Sequence, residues 1–117
     1  MVIDDDHGVR EILSLALSAE GYEVESARDG AEGLAALASR PADVVIVDMR
    51  MPELDGGDFC RLYAEQTGGN GRVILMTAMA GPGTTDIPGV VERIAKPFDL
   101  NDVFDIVARV LSAPSTA

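Results

Sequence analysis

Apolar residues at Val9, Ile12, Leu13, Ala16 and Leu17 recur at the spacing of one helical face, and Gly21 closes that stretch. Before it, Met1-Val2-Ile3 is a short apolar run cut off by Asp4-Asp5-Asp6. After it, residues 22–26 alternate between apolar and polar, the pattern of a short strand. Asp29-Gly30 opens a second predicted helix over about residues 31–39, with Leu34, Ala35, Leu37 and Ala38 as its apolar surface and Arg40-Pro41 as its stop. Residues 44–47 are apolar without alternation, which suits a central strand covered by helices on both faces. A third helix follows Asp55-Gly56-Gly57, carries Phe59, Leu62 and Tyr63, and ends at Thr67-Gly68-Gly69-Asn70-Gly71. Residues 73–76 form the next buried strand. Asp99 is the expected cap of a last helix with apolar positions Leu100, Val103, Phe104, Val107, Val110 and Leu111. Helices alternating with short apolar runs predict an α/β domain built on a parallel sheet.

Length adds one constraint: 117 residues, 47% of them hydrophobic, suit a single core. The expected boundaries are a domain over 1–112 and a disordered tail over 113–117. Twenty acidic against nine basic residues give a formal net charge of -11, which opposes direct contact with nucleic acid phosphates or an anionic membrane and favours cations or basic partners. The lone cysteine, Cys60, is read as a packing residue. Without a signal peptide or a long apolar run, a soluble cytoplasmic protein is the expectation. No repeat or low-complexity segment is present, so any output domain lies outside this sequence. The first strand starts abruptly at Met1.

The acidic residues carry the candidate chemistry. Asp4-Asp5-Asp6 and Asp48 each follow an apolar run, so if those strands are neighbours their C-terminal ends gather three carboxylates in one small space. Such a group repels itself and calls for a divalent cation. Asp6 is the expected cap of the first helix, and His7, at a helix start, is expected to be exposed rather than a ligand. Met49, Met51, Met76 and Met79 are expected to fill gaps around the sheet edge.

Four fragments occur in order, each after a strand: Val2-Ile3-Asp4-Asp5-Asp6; Val47-Asp48-Met49-Arg50-Met51-Pro52-Glu53-Leu54-Asp55-Gly56; Met76-Thr77-Ala78; and Lys96-Pro97-Phe98. Together they make the chain resemble the response-regulator receiver domain of two-component signalling over nearly its whole length. The resemblance implies a flavodoxin-like, doubly wound, five-stranded parallel sheet in the order 2-1-3-4-5, flanked by five helices. It implies that Asp48 accepts a phosphoryl group from a histidine kinase or histidine phosphotransfer protein, and that slow self-catalysed hydrolysis resets the state without the chain being an ordinary enzyme. Mg²⁺ or Mn²⁺ would be held by Asp5, Asp48 and the backbone carbonyl of Arg50, with Asp4 acting through water. Thr77, Ala78 and Lys96 would bind phosphate and couple it to a conformational switch controlling an unknown output partner or domain. Pro97 is a candidate for a cis bond after Lys96. Arg50 and Met79, two positions after Asp48 and Thr77, are the candidates for tuning the lifetime of the phosphorylated state.

Two departures qualify the resemblance. Arg93 stands three residues before Lys96, where receivers usually place an aromatic switch residue, and a guanidinium is not buried as readily as a phenol. Residues 80–89 hold two prolines and three glycines where the family has its fourth helix, predicting a shortened or irregular element. These departures motivate one alternative, a degenerate receiver serving as a phosphorylation-independent interaction module. Another is a haloacid-dehalogenase-like phosphatase with Asp4 as nucleophile and Asp6 as acid/base, which leaves Asp48 without a role.

Overall fold

The computed structural model describes residues 1–78 and 87–112. Its strands are β1 (Val2–Ile3), β2 (Ser26–Ala27), β3 (Val45–Asp48), β4 (Val73–Thr77) and β5 (Val90–Ala95). Helices α1 (His7–Ala19), α2 (Gly30–Ser39), α3 (Gly56–Thr67) and α4 (Leu100–Ser112) complete the elements among the described residues. All strand pairs are parallel and the sheet order is β2-β1-β3-β4-β5, as the resemblance implied. Of the stretch 80–89, residues 80–86 lie outside the described residues, as do Met79 and the tail 113–117. Of that stretch, Ile87 is buried and residues 88–89 form the turn into β5, with Gly89 at φ +79°.

Successive residues of β3 face opposite sides, which explains why an unbroken apolar run is needed there. Val45 and Val47 join Ile3, Leu37, Phe59 and Tyr63 in a core under α2 and α3. Ile46 joins Val2, Leu13, Leu17, Val103 and Val107 in a second core under α1 and α4. Met76 and Met51 are buried within this packing rather than lining the sheet edge. Ile12 and Leu62 are 51% and 43% exposed, so the predicted apolar faces of α1 and α3 are narrower than their sequences suggested.

Helix starts are fixed by side-chain caps. Asp6 accepts from the Gly8 and Val9 N–H groups, Asp29 from Glu32 and Asp55 from Asp58. Of the strand expected at 22–26 only Ser26 lies in β2, which pairs through Ser26 and Ala27 with Val2 and Ile3.

Candidate functional site

The strand order reverses direction at β1, with β2 on one side and β3 on the other, so the chain leaves these two central strands toward opposite sides and a crevice opens at their C-terminal ends. Asp4 and Asp5 follow β1, and Asp48 is the last residue of β3. One carboxylate oxygen from each lies within 4.8 Å of the others. Asp4 is fully buried and Asp48 nearly so, whereas Asp5 is exposed.

Lys96 supplies the counter-charge. Its Nζ lies 3.1 Å from Asp4 Oδ2 and 3.2 Å from Asp48 Oδ1. The lysine leaves β5 beside Thr77 because its own N–H donates to the Thr77 carbonyl at 2.9 Å. The Lys96–Pro97 peptide bond is cis. Burial pushes the Asp48 carboxyl above its ordinary range and the charge of Asp4 adds to this, while Lys96 and the Arg50 backbone N–H oppose it. Burial pulls Lys96 down, yet its bonds and charge contacts with Asp4 and Asp48 outweigh that and leave it raised.

Beside this cluster, a cleft of about 630 Å³ is lined by Met49, Arg50, Met51, Pro52, Asp55, Thr77 and Ala78. The exits of β3 and β4 are tied by Met49 N–H donating to the Met76 carbonyl at 2.8 Å. Gly56 secures the far wall. Its N–H donates to the Met49 carbonyl at 2.9 Å, and a Cβ there would stand 2.7 Å from the Asp48 carbonyl oxygen. Only glycine lets α3 start this close to the strand that carries Asp48.

The fold therefore brings Asp4, Asp5, Asp48, Thr77, Ala78, Lys96, Pro97 and Arg50 to one end of the sheet. Arg93 is half-buried in β5, opposite Leu75. Asp6 is engaged as a helix cap and His7 is exposed beside Glu11. One contributor, Arg10, escaped the sequence reading. Arg10 donates to the Asp4 carbonyl at 2.7 Å, and Asp4 itself accepts from the Asp6 N–H at 2.9 Å, making it a buried hub of the acidic loop. The Asp6 cap was the available signal for Arg10, since it sets the first helical turn and with it which side chain folds back over the loop.

A hard, oxygen-rich donor set of this size fits Mg²⁺. The family model for the response regulator receiver domain matches residues 1–108. The chain belongs to this family. Among similar proteins, the response regulator MprA of Mycobacterium sp. (strain KMS) is 37% identical over 110 residues, covering 88% of this chain and 46% of its own length. MprA of Mycolicibacterium vanbaalenii is 38% identical with the same coverage. The receiver chain thus spans about half the length of the curated relatives it matches. In structure it resembles the Vibrio cholerae chemotaxis protein CheY4, at TM-score 0.88 and 29% identity, covering 93% of this chain and 94% of that one. It also resembles the Thermotoga maritima response regulator TrrA in complex with Mg²⁺-BeF, at TM-score 0.82 and 29% identity, covering 93% and 95%. The chain is a receiver domain of the two-component type, and its acidic pocket is compatible with Mg²⁺. Among the described residues no helix is long and apolar enough to cross a membrane.

Proposed function

We propose that Asp48 is the phosphoacceptor, taking a phosphoryl group from the phosphohistidine of a histidine kinase or histidine phosphotransfer protein. The observation that carries this reading is the position of Asp48: a nearly buried carboxylate, grouped with Asp4 and Asp5 and 3.2 Å from the Lys96 ammonium. An oxygen of Asp48 attacks phosphorus, an O–P bond forms as the P–N bond to imidazole breaks, and the leaving imidazole takes up a proton. Asp5, Asp48 and the Arg50 carbonyl would hold Mg²⁺, with Asp4 reaching it through water. When bound, Mg²⁺ supplies the positive charge that lets an anionic nucleophile approach an anionic phosphoryl group. TrrA, solved with Mg²⁺-BeF, supports that choice of metal.

Lys96 follows the charge it neutralises. With Asp48 phosphorylated, the ammonium pairs with the new phosphoryl oxygens while staying within reach of buried Asp4. Thr77, at the end of β4, donates its hydroxyl to another of those oxygens, and the Ala78 N–H borders the same position. Movement of these groups changes the surface offered to an output domain or partner. Arg50 lines the cleft and tunes water access to the acyl phosphate, with Met79 as its counterpart. Slow hydrolysis then resets the domain, in the cytoplasm where such kinases signal.

Incubation with a small phosphodonor and Mg²⁺, followed by mass spectrometry of the intact chain and its peptides, tests the assignment. A mass increase confined to the Asp48 peptide and lost in Asp48→Asn is expected. Label on Asp4 instead supports the phosphatase reading, and no label with donor and metal in excess supports the phosphorylation-independent module that Arg93 favours.

A further inference from the structure

Arg10 is a cation placed against the local electrostatics. It closes the first turn of α1, where its backbone N–H donates to the Asp6 carbonyl at 3.1 Å, and the N-terminal end of a helix disfavours positive charge. The chain has 20 acidic residues against nine basic ones, yet among the described residues this guanidinium pairs with no carboxylate. Nη1 donates instead to the Asp4 backbone carbonyl at 2.7 Å, and Nη2 lies 3.4 Å from His7 Nδ1. Helical side chains lean toward the start of their helix, so a long residue at this position reaches back over the acidic loop.

Asp5 is the member of the cluster that nothing else holds. Asp4 is engaged at every polar group: its N–H donates to the Ala27 carbonyl at 3.2 Å, its carbonyl accepts from Arg10, Oδ1 accepts from the Asp6 N–H at 2.9 Å, and Oδ2 pairs with Lys96 at 3.1 Å. Asp48 is a residue of β3. The Asp5 carboxylate, by contrast, is exposed and has no hydrogen bond or ion pair among the described residues, although it shares the 4.8 Å group with Asp4 and Asp48. Its place is therefore set through the backbone on either side. The Asp4–Asp5 peptide is planar, so a fixed Asp4 carbonyl fixes the plane from which Asp5 departs. The Asp6 N–H secures the following peptide. Without Arg10 only that second anchor remains.

We infer that Arg10 is a positioning residue for a divalent cation: through the Asp4 carbonyl it keeps the Asp5 carboxylate grouped with Asp4 and Asp48, so that the three act as one site. This role rests on the reading of the cluster as a Mg²⁺ site, and Arg10 touches none of the oxygens assigned there to the metal. The sign of its effect separates positioning from simple electrostatics. As a point charge, a guanidinium repels an incoming cation, and its loss tightens metal binding. As an anchor of the loop it favours the cation, and its loss weakens binding. Arg10 is only half-buried, so solvent and salt screen the repulsion, whereas groups that orient a metal ligand from outside typically change affinity by about 10- to 100-fold. Anchoring is the larger effect.

Calorimetric titration of the metal-stripped chain with MgCl₂ tests this role in wild type, Asp5→Asn, Arg10→Met, Arg10→Gln and Arg10→Lys. Wild-type binding that Asp5→Asn weakens supports the metal site on its own; no wild-type binding, or binding that Asp5→Asn leaves unchanged, overturns the metal site and the role of Arg10 with it. Given that site, Arg10→Met, which keeps the aliphatic stem and loses donor and charge, is expected to weaken Mg²⁺ binding about tenfold or more. Arg10→Gln, whose amide is too short to reach the carbonyl, is expected to do the same and carries the test if the methionine variant does not fold. Arg10→Lys restores one long donor and is expected to recover most of the loss. Binding stoichiometry and far-UV circular dichroism in chelator report the folded fraction, so an unfolded variant shows fewer sites rather than weaker ones. Unchanged or tighter binding in the neutral variants, or a loss in Arg10→Lys as large as theirs, overturns the positioning role while leaving the metal site standing.

Discussion

Replacing Lys96 by methionine keeps most of the side-chain volume and removes only the charge that holds Asp4 and Asp48 together. At 3.1 and 3.2 Å, each contact is worth about 5 kcal/mol of gross attraction at an effective dielectric constant near 20. Most of that is offset by desolvation. Removing one partner of a buried pair typically costs about 3–5 kcal/mol, because the other charge is left stranded. Lys96 is 26% exposed, so water reaches the cluster and lowers the expected cost to about 2 kcal/mol. For a domain of this size, that lowers Tm by roughly 8 °C. The loss has two signatures beyond its size. It shrinks when Asp48→Asn is added, since the stranded repulsion is then relieved, and the departure from additivity in the double-mutant cycle reports the pair directly. It also shrinks in millimolar Mg²⁺ relative to chelator, because a cation among the three carboxylates replaces the missing charge. Thermal melts of the four proteins, with and without Mg²⁺, provide the measurement. Strict additivity of the two substitutions, or a Tm loss that Mg²⁺ leaves untouched, would refute the reasoning.

The Asp48 carboxyl is raised above its ordinary 3.8, so its ionised form is the disfavoured one and the penalty grows as pH rises through the raised value. Asp48→Asn is therefore expected to match or exceed wild-type stability at pH 7, the gain vanishing in acid where Asp48 is protonated; a gain that persists there contradicts this. Lys96 is raised above 10.5, so its stabilisation is intact at neutral pH and is lost only as pH climbs through its folded-state pKa; wild type is expected to fall toward Lys96→Met stability only in that alkaline range. Gly56→Ala forces a Cβ against the backbone of Asp48 and Met49 at 2.7 and 2.8 Å and is expected to cost about 2 kcal/mol, with slower labelling of Asp48 by phosphodonor. Asp6→Ala removes the α1 cap at a cost of about 1 kcal/mol yet leaves labelling intact, whereas an acid/base role for Asp6 predicts its loss.

Most of the site was legible because its residues sit at strand ends. A strand end is marked in sequence by the switch from apolar to polar, and the parallel topology converts those marks into neighbours: Asp4 and Asp5 beside Asp48, Thr77 beside Lys96. Caps were legible for a similar reason, since Asp6, Asp29 and Asp55 act on backbone groups only two or three residues away. What sequence pattern misjudged was the width of helical faces. Ile12 and Leu62 obey the periodicity of α1 and α3 but sit at the margin of the stripe that the sheet can cover, and only the sheet's extent decides which side chains are sheltered.

The three short carboxylates and one lysine also show why this site cannot be rigid in energy even where it is rigid in shape. Asp4 is fixed by the Asp6 N–H and by Lys96, with its own backbone carbonyl held by Arg10. Asp48 is fixed by its place in β3, between β1 and β4. Lys96 is the one member on a long, flexible stem, and it divides its charge between two acids that are both nearly sealed from water. On the proposed reading, a cation entering beside exposed Asp5 would compete with the ammonium for the same oxygens, and phosphorylation of Asp48 would add phosphate oxygens that attract it. The lowest-energy position of Lys96 therefore depends on what occupies the pocket, and its backbone bond to Thr77 carries that dependence into the ends of β4 and β5. On the proposed reading, a local change of charge would thus be felt at the C-terminal ends of β4 and β5 through the Lys96–Thr77 backbone bond.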